Sequence, residues 1–137
     1  MDYEGFRIKI KPFLWQFLPW LSSYTAQAIY PNIYVSKKVF ENLKSKNPNP
    51  RFIAILEHEI KHLQRQKELG IIKFGIKYLL SPKFRFQEEL LAIKEEMRYL
   101  KSKKLLFSIE RAAKYLSSWL YFWMIPYQKA KEELEKI

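Results

Sequence analysis

The spacing of the two histidines constrains this chain most. They are His58 and His62, with Glu59 directly after the first. Residues 51–69 around them have the apolar periodicity of a helix, and Gly70 is a typical C-terminal stop. Side chains four residues apart on a helix differ by about 40° and share one face, so both imidazoles can reach one metal ion. The sequence therefore predicts a helix that carries part of a metal site.

The predicted helix places both histidines at the edge of its apolar face. Four apolar side chains form the stripe that should be buried: Phe52, Leu56, Ile60 and Leu63. Three polar side chains lie on the opposite, solvent-facing side: Glu57, Lys61 and Gln64. The histidines should therefore border a cleft, where a ligand can reach them.

The third metal ligand should be a glutamate, because the chain has no cysteine and only one aspartate, Asp2. The downstream candidates are Glu68, Glu88, Glu89, Glu95, Glu96 and Glu110. A second long helix is predicted over residues 83–104, with an apolar stripe formed by Phe86, Leu90, Ile93, Met97 and Leu100. Glu89 lies about 60° from the centre of that stripe, whereas Glu88 and Glu95 point nearly opposite. We expect Glu89 to be the ligand, and Glu96, on a similar bearing, is the second choice.

This set of side chains suits one zinc ion per chain, with one position left open for water. Glu59 should take the proton from zinc-bound water and pass it to the leaving amine. The expected reaction is therefore hydrolysis of a peptide or protein substrate. Because there is no third histidine, the oxyanion would need Tyr78, Tyr99 or an arginine. Two alternatives stay open: a fortuitous histidine pair, or another divalent ion on the same ligands.

The residues around this motif resemble a known group of enzymes. A strand-like segment Asn32–Ser36, a short helix from Lys37 and the segment Phe52–His62 follow in the order found in gluzincins, a branch of the zincins. The resemblance is closest to the CAAX-processing and HtpX-like membrane metallopeptidases. Their Glu-x-x-Ala signature matches Glu89–Ala92, but they usually have Asp where this chain has Ile93. The short chain is most similar to the minigluzincins, small soluble relatives of those enzymes.

The resemblance implies an α+β, mainly helical zincin-like metallopeptidase domain over residues 1–104, with a small N-terminal β-sheet. It also implies that an edge strand pairs with extended substrate and that C-terminal segments keep the enzyme latent. Independently, residues 105–137 are not needed for the zinc site, yet they are rich in apolar side chains that must be buried somewhere. We expect this segment to block the cleft as in a zymogen, within a monomer or swapped between two chains.

Other patterns predict the remaining elements. Residues 6–10 alternate strictly and predict a strand. Residues 28–35 predict an edge or bulged strand, because Pro31 cannot donate to a sheet. Helices are predicted at 37–44, 105–124 and 127–136, and an apolar segment at 71–80. The uncharged run 13–21 contains Trp15 and Trp20 and is compatible with a membrane interface, but a buried core segment is the preferred prediction.

The composition narrows the function classes. Only three of the 137 residues are glycine, so no phosphate-cradling glycine loop is present, and the lack of cysteine excludes disulfides and thiolate metal sites. The net charge of +11 suits nucleic acid or an anionic lipid surface. The basic residues are scattered and no nucleic-acid motif occurs, so nucleic acid is not an expected partner.

Three expectations complete the sequence-based account. Richness in Lys and Glu without Cys is typical of thermophile proteins. Without a spanning or targeting segment, we expect a cytoplasmic protein whose membrane contact, if any, is peripheral. The alternative function is a non-catalytic module that binds a membrane or a partner and carries a degenerate metal site.

Overall fold

A computed structural model describes residues 1–18, 21–22 and 24–137. It has an α+β architecture with a four-stranded sheet at the N-terminal end and a helical remainder. The strands are β1 (Asp2–Tyr3), β2 (Phe6–Ile10), β3 (Ala26–Ile29) and β4 (Asn32–Val35). Their order in the sheet is β1-β2-β4-β3; β2 and β4 are parallel, and the other two pairs are antiparallel. The predicted α+β class with a small N-terminal sheet is confirmed at this level.

The strand predicted at residues 6–10 is confirmed, but the single strand predicted at residues 28–35 is wrong. That segment contains the end of β3, a turn at Tyr30–Pro31 and the whole of β4. Pro31 lies in the turn, where its missing N–H removes no ladder hydrogen bond. As a result β4 lies inside the sheet with Ile33 and Val35 buried, and β3 is the edge strand.

Six α-helices follow, and several begin at residues with the expected capping chemistry. Ser36, Asn49 and Ser81 each accept a hydrogen bond from a backbone N–H in the first turn of the next helix. Gly70 has a φ of 86°, a backbone conformation that favours glycine, and it separates two helices. The helices are α1 (Lys37–Leu43), α2 (Pro50–Leu69), α3 (Ile71–Leu80), α4 (Pro82–Ser102), α5 (Ile109–Leu116) and α6 (Tyr127–Glu135).

The continuous helix predicted at residues 105–124 is wrong. Only α5 is α-helical there; it is followed by a short 3-10 helix, Trp119–Tyr121. The Ser118 hydroxyl accepts a hydrogen bond from the Leu120 N–H and so begins the 3-10 turn. Phe122 and Trp123 have φ values of 56° and 48°, which no continuous α-helix contains. The chain therefore turns sharply where the sequence pattern alone predicts one continuous helix.

The buried apolar side chains form two clusters with α2 and α4 between them. The first cluster joins the sheet, α1 and α2, and contains Ile8, Ile33, Val35, Leu56 and Leu63. The second joins α4 to the C-terminal segment and contains Ile93, Ala113, Leu116, Ala130 and Leu134. Helices α2 and α4 pack directly on each other. Side chains at the α2–α4 interface are thus enclosed by apolar packing on both sides.

The apolar stripe predicted for α4 is only partly buried. Ile93 and Leu100 are buried, but Phe86, Leu90 and Met97 are half-buried and pack against the second cluster. The prediction that Glu88 points away from the core is wrong, since its exposed fraction is 2%. Helix α4 is covered by α2 on one side and by the C-terminal segment on the other, so a single apolar stripe does not describe its buried surface.

The prediction of a buried core segment at residues 13–21 is wrong for its first part. Residues Phe13–Phe17 form a 3-10 helix in which Phe13, Leu14 and Phe17 are 74%, 71% and 67% exposed. Trp15 does pack, with its ring centroid 4.9 Å from that of Tyr34. Pro19 and Trp20 lie outside the described residues. Within the described part of the chain, no helix has the length and apolar character needed to cross a membrane.

Candidate metal centre

Helix α2 presents both histidines toward α4. The Nε2 atoms of His58 and His62 are 3.2 Å apart, as expected for imidazoles one helical turn apart on one face. His62 is buried, and its ring lies edge-on to the rings of Phe74 and Tyr78 from α3. The predicted position of the histidines at the border between core and cleft is confirmed for His58, which lines the cleft.

Glu89 of α4 brings its carboxylate to both imidazoles. Its Oε2 is 3.1 Å from Nε2 of His58, and its Oε1 is 3.2 Å from Nε2 of His62. Together the three residues form a group whose ligand atoms are close enough to hold one metal ion. Tetrahedral ligands about 2.0–2.1 Å from a zinc ion lie about 3.3 Å from one another, so the 3.2 Å separation of the two imidazole Nε2 atoms fits such a site.

Glu96 lies behind His58, on the ring nitrogen that faces away from the site. Its Oε2 is 3.1 Å from Nδ1 of His58, so the imidazole can donate to Glu96 while Nε2 stays free for a metal. The sequence made Glu96 the second choice as ligand; the structure gives it an orienting position instead. Ile93 cannot supply an orienting carboxylate, although the resembled enzymes usually have Asp at this position. Glu96 supplies one instead, because it lies seven residues after Glu89 on nearly the same face of α4.

Two tyrosines hold Glu89 in place. The Tyr78 hydroxyl donates to Oε1 at 2.5 Å, and the Tyr121 hydroxyl donates to Oε2 at 3.5 Å. Burial and the nearby Glu89 charge raise the pKa of both phenols, so both remain protonated donors. Tyr78 is a candidate oxyanion donor from the sequence, but its hydroxyl is engaged with Glu89. The contact of Tyr121 with Glu89 could not be predicted, because it depends on the breaks in the helix that the local pattern predicts over residues 105–124.

The charges of this cluster shift one another strongly. Burial alone would raise the pKa of Glu89, but the two imidazoles outweigh it and hold that pKa well below its usual range. Burial alone would lower the pKa of His58, but Glu89 and Glu96 outweigh it and hold that pKa well above its usual range. Without a metal ion, the contacts of His58 with Glu89 and Glu96 therefore favour the imidazolium form of His58.

Glu59 lies beside His58 at the wall of the cleft. Burial raises the pKa of its carboxyl, and the neighbouring histidines partly offset that effect. In the described part of the chain, no hydrogen bond joins Glu59 to either histidine. A carboxyl group with a raised pKa, placed beside candidate metal ligands, is the kind of group that general-base chemistry uses.

The cleft in front of the cluster has a volume of about 530 Å³. Its lining includes residues of α2 and residues Tyr24–Ala26, the last of which begins β3. The C-terminal segment contributes Phe107, Arg111, Tyr115 and Tyr121 to the same lining. Residues after 104 therefore line the cleft together with the candidate metal ligands His58 and Glu89.

The remaining glutamates that the sequence offered as ligands are paired elsewhere. Glu88 and Glu68 both accept hydrogen bonds from Arg65. Glu95 is paired with Arg98, and a Glu110 oxygen lies 3.9 Å from the Lys131 Nζ atom. Of the six candidates, only Glu89 and Glu96 approach the histidines.

Comparisons with known proteins give no match: no protein-family model, no curated protein and no solved structure is similar to this chain.

Proposed function

We propose that this chain is a zinc-dependent endopeptidase with a zincin-like fold of the gluzincin type, similar to the minigluzincins. One observation carries the proposal: His58, His62 and Glu89 bring three donor atoms together beside Glu59 at the wall of a cleft. The cleft is large enough for several side chains of an extended peptide.

Zinc is the metal that this donor set favours. Two imidazole nitrogens and one carboxylate are the ligands of catalytic zinc sites that keep a fourth position open. The hydrogen bond that His58 Nδ1 donates to Glu96 and the one that Tyr78 donates to Glu89 fix the orientation of two of the three ligands. Such outer contacts are costly to assemble by chance, which favours a built metal site over a fortuitous histidine pair.

A zinc ion held by His58, His62 and Glu89 would act as a Lewis acid that polarises the peptide carbonyl and acidifies water. Glu59 accepts a proton from the attacking water as the C–O bond forms. It then donates that proton to the amide nitrogen as the C–N bond breaks, and is regenerated as a carboxylate. The raised pKa of Glu59 suits both transfers, because the group has to hold a proton between them.

The edge strand β3 is the proposed docking edge for an extended substrate. Residues Tyr24–Ala26 line the cleft next to the metal ligands. Further along the strand, the Ala28 carbonyl already accepts a hydrogen bond from Gln66 of α2. Substrate pairing is therefore proposed for the first half of the strand, ending before Ala28.

We also propose that residues 105–137 keep the enzyme latent. Their side chains line the cleft beside the proposed metal ligands, and the Tyr121 hydroxyl contacts Glu89 directly. The cleft has room for several side chains, but a segment that contacts Glu89 and closes part of its border should restrict how a longer polypeptide reaches the metal site. Activity should therefore depend on moving this segment.

The test is peptide hydrolysis by zinc-loaded protein carrying Glu59→Gln. The assay uses a mixture of unstructured peptides, analysed by mass spectrometry, with the intact chain and with a Phe107→Ala/Tyr115→Ala variant that widens the cleft. We expect Glu59→Gln to retain zinc and to lose hydrolysis by at least about 1000-fold in whichever background is active.

The matched control is Glu57→Gln, since Glu57 accepts a hydrogen bond from the Tyr3 hydroxyl and does not line the cleft. It should leave hydrolysis within about twofold. Hydrolysis that survives Glu59→Gln, or its absence from both zinc-loaded backgrounds, would overturn the proposed activity.

A further inference from the structure

Helix α3 packs on the molecule through only one of its faces. Phe74 is buried at 5% exposure, and its ring stacks on that of Tyr78 with centroids 5.7 Å apart. Both side chains face His62 on α2. The opposite face of α3 carries no polar side chain that could form hydrogen bonds with water.

Four large aliphatic side chains lie on that opposite face. By the helix period they fall about 140° to 240° around the axis from Phe74, which makes one continuous stripe. Their exposed fractions are 75% for Ile72, 54% for Ile76, 62% for Leu79 and 74% for Leu80. Isolated exposed leucines are ordinary, but a helix with its apolar stripe turned outward marks a contact surface.

The aromatic turn at Phe122 and Trp123 continues this surface. The guanidinium of Arg85 donates to the carbonyls of Tyr78 and Leu79 and lies 5.4 Å from the Phe122 ring centroid. The turn is therefore beside the C-terminal end of α3. Phe122 is 50% exposed and Trp123 is 73% exposed. The apolar surface thus contains aliphatic side chains from one element and aromatic ones from another.

Positive charge borders this surface. Lys73 and Lys77 are exposed and lie about 260° and 300° from Phe74, directly beside the aliphatic stripe. The whole chain carries a net charge of +11. Two copies that met through this face would bring like charges together, whereas an anionic surface would attract it.

We propose that the outer face of α3, with the Phe122–Trp123 turn, binds the interface of an anionic lipid bilayer. Aliphatic residues and tryptophan suit the boundary between headgroups and acyl chains, and flanking lysines suit anionic headgroups. The helix has ten residues, so it would lie in the interface and not cross it. This proposal is independent of the proposed peptidase activity and stands on different residues.

The experiment is flotation of the full chain with vesicles of phosphatidylcholine alone and with about 30% phosphatidylglycerol. We expect binding to the anionic vesicles, at least about 10-fold weaker binding to the neutral ones, and loss of binding as salt rises. Ile72→Ser/Ile76→Ser should reduce binding to anionic vesicles by at least about 10-fold, because two exposed aliphatic anchors are removed.

Charge-reversal variants form the matched pair. Lys73→Glu/Lys77→Glu should weaken binding by about 10-fold or more. Lys38→Glu/Lys46→Glu makes the same change in net charge on exposed lysines in α1 and in the loop before α2. That loop leads into the N-terminal end of α2, and α2 is about 30 Å long, whereas α3 follows its C-terminal end. This control should weaken binding much less, because only lysines near the bilayer contribute strongly.

Three results would overturn the proposal. The first is equal binding by wild type and Ile72→Ser/Ile76→Ser, when thermal melting shows that both proteins are folded. The second is loss of binding through Phe13→Ser/Leu14→Ser alone, which would assign the contact to the exposed N-terminal 3-10 helix. The third is a wild-type dimer in analytical ultracentrifugation that the α3 variant abolishes, which would assign the face to a second copy.

Discussion

His58 is the residue on which the candidate site depends most, because it contacts two carboxylates through its two ring nitrogens. Nε2 faces Glu89 and Nδ1 faces Glu96. In the metal-free protein both contacts favour the imidazolium form and raise the pKa of His58. A metal ion on Nε2 requires that this nitrogen be deprotonated. The proton on Nδ1 can stay, because Nδ1 donates a hydrogen bond to Glu96.

Metal binding should therefore release a proton. At neutral pH, below the raised pKa of His58, the metal-free site holds a proton that zinc displaces, so zinc affinity should rise with pH. Calorimetric titration at about pH 7 in buffers of different ionisation enthalpy should detect about one proton released per zinc ion. An affinity that stays flat between about pH 6 and 8, with no proton exchanged, would contradict this charge assignment.

At the scale of elements, the site depends on the packing of α2 against α4. Arg65 of α2 donates to both Glu88 oxygens, at 2.9 and 3.1 Å, one residue before the ligand Glu89. Glu88 is 2% exposed, and this ion pair fixes the register of the two helices near the metal centre. The proposed zinc ligands on the two helices stay close only while that register holds.

Arg65→Met should therefore destabilise the protein by about 3 kcal/mol, because it leaves the Glu88 carboxylate buried without its partner. Chemical denaturation of the zinc-free protein measures this loss, and Arg65→Met/Glu88→Leu should recover most of it. Arg98→Met is the control: its side chain is 78% exposed and its pair with Glu95 should contribute under about 1 kcal/mol. Equal losses for the two single variants would argue against the proposed role of the Arg65–Glu88 pair.

Local sequence signals predicted the elements that local chemistry determines. Apolar periodicity and Gly70 predicted a helix over residues 51–69 that carries both histidines, and α2 spans Pro50–Leu69. Glu89 was found because it borders a periodic stripe. The burial of Glu88 was missed because its cause, Arg65, lies 23 residues away on another helix. The sharp turn at Phe122 was missed for a similar reason, since packing of the C-terminal segment stabilises it.

At the scale of the whole molecule, the candidate metal centre lies between two apolar clusters. The cluster on the sheet side includes Leu56 and Leu63 of α2, and the other joins α4 to residues 105–137. The C-terminal segment is therefore both a part of the packing and a wall of the cleft. This double role suits a segment that blocks the site while the chain is intact.

Removal of residues after Lys104 should open the cleft and increase hydrolysis of peptides by the zinc-loaded protein at least about 10-fold. The cost is exposure of apolar side chains of α4 such as Ile93, so the truncated chain has to be checked for retained zinc and cooperative melting. A folded, zinc-loaded truncation that cleaves no faster than the full chain would contradict latency. The full-length Phe107→Ala/Tyr115→Ala variant tests the same point without removing the segment.

The most direct measurement of the central claim is zinc per chain by elemental analysis, after loading and exhaustive dialysis. We expect about one zinc ion per wild-type chain, clear loss in Glu89→Ala, and full retention in Glu95→Ala, whose carboxylate is paired with Arg98 on the same helix. Folded wild type that retains no zinc, or a Glu89→Ala variant that holds zinc as tightly as wild type, would contradict the proposed metal centre.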